Sequence, residues 1–85
     1  MKDKMILIIN IPDKKIREDI EVPSDITALE LITALNQIYS LKMDPDRLFS
    51  YYLKADNPKT LLRGNRTLQA YGLHDGSEIW PWNNN

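Results

Sequence analysis

An α+β fold with a mixed sheet is what this sequence predicts, on three observations. Two strand-like segments open the chain, a single segment carries a helical apolar stripe, and short strand-like runs separated by turn residues follow it. The order is strand–strand–helix–strand–strand–turn–strand. At 85 residues a core cannot be divided, so one domain is expected, spanning 1–82, with Asn83-Asn84-Asn85 as a loose tail.

Met5-Ile6-Leu7-Ile8-Ile9-Asn10-Ile11 is β-branched-rich and continuously apolar, as suits a central strand at least partly covered on both faces. Pro12-Asp13-Lys14-Lys15 breaks it as a polar turn. From Ile16 to Val22 the period is two: Ile16, Ile20 and Val22 share one face, and Arg17, Asp19 and Glu21 take the other. Glu18 falls on the apolar parity, which predicts a bulge there or a place near the open end of the hairpin. Pro23-Ser24-Asp25 ends the strand, and Thr27-Ala28-Leu29-Glu30 fits a capping box with Thr27 as N-cap. From Ala28 to about Ser40, the residues Ala28, Leu31, Ile32, Leu35, Ile38 and Tyr39 form one apolar stripe, as in a helix laid across a sheet.

Met43-Asp44-Pro45-Asp46 reads as a turn, and Leu48 to Ala55 as a third strand. Asp56-Asn57-Pro58-Lys59 makes another turn before a short strand at Thr60-Leu61-Leu62. Leu68 to Tyr71 has room for one helical turn, left through Gly72, and Asp75-Gly76 turns the chain into a last strand from Ser77 to Trp80.

Composition removes several functions. Eleven basic residues against twelve acidic ones, without a block of like charge, give no reason to expect a nucleic-acid partner. The chain has no cysteine and one histidine, so thiol chemistry is excluded and the common zinc ligand sets cannot be assembled. His74 reads as an exposed turn residue with no nucleophile predictably placed beside it, and no Gly-rich phosphate loop exists. Asp44-Pro45-Asp46 lacks the glycine and terminal glutamate of a calcium loop. We therefore expect no catalytic residues, no metal and no cofactor. The apolar run Met5–Ile9 is too short for a signal-peptide core or a membrane span, which makes cytoplasmic location the expectation and argues against membrane insertion.

The candidate working surface comes from strand parity. Glu78, Trp80 and Trp82 share one face of the last strand, opposite Ile79 and Pro81. A glutamate is not expected to face the core, so Ile79 points inward and both tryptophans outward. If Met5, Leu7, Ile9 and Ile11 are the core set of the first strand, Ile6 and Ile8 join them on the open face. Ile6, Ile8, Glu78, Trp80 and Trp82 are the candidate partner-binding residues.

Two stretches carry a resemblance to ubiquitin: Ile20-Glu21-Val22-Pro23-Ser24-Asp25 before the helix, and Gly64-Asn65-Arg66-Thr67-Leu68-Gln69-Ala70-Tyr71 before the last strand. The chain is also similar to the small bacterial YukD/EsaB group of type VII (WXG100-exporting) secretion systems. The similarity rests on the Val22-Pro23 pair, on Leu31-Ile32 with Leu35, and on Gly72-Leu73-His74-Asp75-Gly76-Ser77-Glu78-Ile79. This resemblance implies a ubiquitin-like β-grasp: a mixed four- to five-stranded sheet, first and last strands parallel at its centre, one helix packed across it. It further implies a non-catalytic adaptor or regulatory component of that apparatus. Such a protein is cytoplasmic, recruited to the inner face of the membrane by a protein component of the machinery. The alternative is a sulfur carrier or conjugated modifier of the same fold. It needs a C-terminal Gly-Gly, and no glycine follows Gly76, so covalent conjugation is not expected. A Ras-binding-type module would use a basic edge strand, whereas Ile16–Val22 is acidic through Glu18, Asp19 and Glu21.

Overall fold

The computed structural model describes residues 3–82, with Trp82 described in its backbone alone. The tail expected at 83–85 lies outside the described residues. Strands β1 (Lys4–Ile11) and β2 (Ile16–Pro23) form a hairpin, followed by helix α1 (Ala28–Tyr39), then β3 (Tyr52–Asp56), β4 (Thr60–Leu62) and β5 (Glu78–Trp82). The five strands lie in the order β2-β1-β5-β3-β4. β1 and β5 run parallel at the centre, with Ile8 opposite Glu78 and Ile9 opposite Ile79; the other pairings are antiparallel. This is a ubiquitin-like β-grasp, with α1 packed across one face.

Alternation builds the core. Met5, Leu7, Ile9 and Ile11 of β1 are buried, as are Leu53 and Ala55 of β3, Leu62 of β4 and Ile79 of β5. Ala28, Leu31, Ile32 and Leu35 of α1 cover them. Each fully buried Leu or Ile contributes about 1.5–3 kcal/mol of transfer free energy, so this one layer dominates stability. Thr27 caps the helix as the sequence predicts: its hydroxyl accepts from the Glu30 amide at 3.1 Å, and the Glu30 carboxylate accepts from the Thr27 amide at 3.0 Å. Those bonds hold the Glu30 carboxyl below its usual range, the backbone bond from Thr27 first and the hydroxyl second.

Three expectations are corrected. Ile38, placed on the buried stripe, is 69% exposed: it lies in the last turn of α1, where the neighbouring Tyr39 reaches Glu18 on the edge strand β2. The third strand does not begin at Leu48. Pro45–Ser50 is two short 3-10 turns joined by a kink at Arg47, with Asp44 as N-cap accepting from the Asp46 amide at 2.9 Å. This local capping, with Pro45 in the first helical turn, outweighs the β-propensity of Leu48, Phe49 and Tyr51. Glu18 sits neither in a bulge nor at the open end of the hairpin. It pairs in continuous register with Ile9, and its carboxylate accepts a hydrogen bond from the Tyr39 hydroxyl. That bond, followed by desolvation, pushes the Tyr39 phenol up to about 12.

Candidate docking face

The side of the sheet away from α1 carries the opposite parity. On β1 it presents Ile6, 45% exposed, and the half-buried Ile8 and Asn10. On β5 it presents Glu78 and Trp80, both half-buried on either side of the fully buried Ile79. Cross-strand register brings these together. Asp19, Ile8, Glu78 and Asp56 form one row, since Ile8 lies opposite both Asp19 and Glu78, and Asp56 opposite Glu78. Trp80, Lys54 and Leu61 form a second row.

The glutamate at the centre is tethered. Its carboxylate accepts from Asn10 Nδ2 at 3.0 Å and lies 3.5 Å from the Arg17 guanidinium. Both partners lie on the β1–β2 side, so the charge is drawn that way and the ring of Trp80 keeps company with Lys54 and Leu61. A shallow depression of about 380 Å³ lies there, lined by Lys54, Asp56, Lys59, Leu61 and Trp80 among others.

Ile6, Ile8, Glu78 and Trp80 therefore stand on one face, as their parity predicts. The side chain of Trp82 lies outside the described residues; its backbone pairs with Tyr52. Sequence reasoning missed Leu61, 49% exposed, and Lys54 beside Trp80. In Thr60-Leu61-Leu62 either leucine could face the core, and only the register with β3 decides that Leu62 does. His74 is exposed in its turn, its Nδ1 2.9 Å from the Asp75 carbonyl oxygen. Among the described residues no cluster of three or more His, Asp or Glu is arranged to hold a metal ion, and no helix is long and apolar enough to cross a membrane.

This architecture defines the class: a ubiquitin-like β-grasp protein with an uncovered, partly apolar sheet face. Solved structures agree on the fold. The C-terminal ubiquitin-like domain of mouse tubulin-specific chaperone e superposes with a TM-score of 0.69 at 13% identity, covering 98% of this chain and 90% of that one. The ubiquitin of Caldiarchaeum subterraneum gives 0.67 at 20% identity, covering 92% and 90%. A designed protein based on ubiquitin gives 0.67 at 15%, covering 94% and 88%. No curated protein matches the chain in sequence. The family model of the WXG100 protein secretion system (Wss) protein YukD matches residues 6–80, and the chain belongs to that family.

Proposed function

We propose that this single-domain protein is a non-catalytic adaptor of a type VII secretion apparatus, acting in the cytoplasm by non-covalent docking onto another component. A cytosolic domain of a membrane subunit is the partner we favour, and it would recruit the protein to the inner face of the membrane. Family membership supports the association with WXG100 secretion. One observation carries the docking mode: Ile6, Ile8, Trp80 and Leu61 leave apolar surface uncovered across the open face of a sheet whose other face is fully packed. Ile6, Ile8, Glu78, Trp80 and Trp82 are the contact residues in this reading, with Glu78 orienting a polar group of the partner at the centre.

Tryptophan is enriched among interface hot spots, where truncation costs about 2 kcal/mol or more of binding. Trp80→Ala combined with Trp82→Ala should keep a cooperative melt yet abolish capture of the purified cytosolic domain and block export of WXG100 substrates. A double mutant that binds and exports in proportion to its folded fraction would put the docking face elsewhere.

A further inference from the structure

The outer edge of β2 is the longer of the two sheet edges, eight residues against three in β4. Which of its backbone groups face outward follows from β1. The Ile8 amide donates to the Ser77 carbonyl at 2.9 Å, and the Ile6 carbonyl accepts from the Gly76 amide at 2.8 Å, so these residues turn their backbone toward β5. Met5, Leu7, Ile9 and Ile11 must therefore bond to β2, through their partners Val22, Ile20, Glu18 and Ile16. The amides and carbonyls of Arg17, Asp19 and Glu21 are left pointing away from the sheet.

The C-terminal end of helix α1 reaches this edge. The bond from the Tyr39 hydroxyl to Glu18 sets its last turn above β2. The opposite flank is fixed by Asn36, whose side chain exchanges hydrogen bonds of 3.0 and 3.2 Å with the Met43 backbone. Ile38 thus falls on the β2 flank, well exposed, while Ile16 and Ile20 are half-buried on the same side of the strand. A strand laid outside β2 would meet isoleucines on its helix side and Asp19 and Glu21 on its other side. Arg17 is already turned to Glu78, and Glu21 pairs with Lys4 at 3.5 Å between largely exposed groups, a weak pair. Asp19 has no ion-pair partner among the described residues.

We propose that this edge takes up an extended segment of a partner protein as an added strand, one in which β-branched apolar residues alternate with Lys or Arg. The three outward rungs supply affinity through the main chain, the isoleucines select the inward residues and the carboxylates select the outward ones. A second copy of the chain fits poorly. Two-fold pairing of β2 about Ile20 sets Asp19 opposite Glu21 twice, and pairing about Glu18 or Asp19 sets that carboxylate against its own copy and needs Arg17, already turned to Glu78, to offset it. The site uses different side chains from the open-face reading and stands whether or not that face docks a partner.

The test is amide-resolved hydrogen exchange and NMR titration of the full chain with a blocked peptide alternating Lys with Ile and Val. Three comparison peptides are used: one with Glu for Lys, one N-methylated at the residues that would bond to β2, and one scrambled. Exchange at Arg17, Asp19 and Glu21 should slow by about tenfold or more with the basic peptide alone. Ile38→Lys, at an exposed position, should weaken the effect about tenfold, the loss of one buried apolar contact. Equal binding of the N-methylated or acidic peptide overturns the proposal. So do protection confined to the Ile8–Trp80 face, concentration-dependent self-association through β2, and no protection at all. The last would mean that the charges merely guard the edge. If Ile38→Lys fails to fold, the peptide series on the unaltered chain still decides.

Discussion

Along β5 Ile79 is fully buried while Glu78 and Trp80, its immediate neighbours, stand half-buried on the other side of the same strand. Along β1 Leu7 and Ile9 are fully buried, and Ile6 and Ile8 between and beside them are not. Both faces carry large apolar residues, the inner face more of them. What separates them is α1, which covers one and leaves the other uncovered. Side chains one residue apart are therefore expected to answer to different constraints, the inner set to stability and the outer set to recognition.

The comparison breaks most sharply at Ile79. Ile79→Ala should cost about 2–5 kcal/mol, the usual range for opening a cavity in a packed core. Trp80→Ala, although it deletes more atoms, should cost much less, because its ring packs against one layer only. Urea denaturation of the two variants side by side gives the ranking; an equal loss would mean that Trp80 is part of the core.

The helix that makes the faces unequal depends on its cap, so the next largest effect is there. Thr27→Ala should destabilise by about 1 kcal/mol. A charge makes the cap sensitive to pH. Glu30 titrates below its usual value of 4.5 in the folded state, so its contribution is complete above that value and is lost as the pH falls through the lowered one. Glu30→Gln should therefore flatten the acid limb of a stability-against-pH curve while leaving helix content at neutral pH nearly unchanged.

A smaller effect is expected where α1 meets the edge strand. The Tyr39 hydroxyl donates to Glu18 at the surface, a bond worth about 0.5–1 kcal/mol after allowance for solvent. With the phenol raised to about 12, this contribution is fully present below the ordinary value of 10.0 and disappears as the pH rises through the raised one. Tyr39→Phe should be slightly less stable at neutral pH, and ultraviolet titration should show that it has lost the last phenol to ionise. A variant that keeps the late transition would assign it to another tyrosine.

Most of the fold was legible because period and punctuation agree. Thr27 and Glu30 mark the helix start, Gly72 and Gly76 adopt the positive φ their turns demand, and β1 alternates as drawn. The misreadings have two causes, partners distant in the chain and local caps that compete with propensity. Glu18 looks misplaced on an apolar parity until Tyr39 is brought to it. Leu48, Phe49 and Tyr51 look like strand until Asp44 and Pro45 start a helical turn beneath them. The candidate face was half legible for the same reason: Glu78 sets the parity of its own strand, but Leu61 and Lys54 join Trp80 only through a register that no local pattern encodes.

Ile38 offers the smallest and most discriminating test, because the expected sign is unusual for an apolar deletion. Periodicity sets it one turn beyond Leu35 on what looks like one stripe, yet Leu35 is 2% exposed and Ile38 69%. Leu35→Ala should therefore cost about 2–5 kcal/mol. Ile38→Ala removes almost no buried surface, and alanine is the better helix former by a few tenths of a kcal/mol, with no β-branch to restrict. The variant should be neutral or about 0.3 kcal/mol more stable. If so, an exposed isoleucine is held where alanine would serve the fold better, which is what a residue reserved for an incoming strand at the β2 edge requires. A loss above about 1 kcal/mol, on the scale of a partly buried core position, would return Ile38 to the packed stripe and remove the apolar flank from that edge.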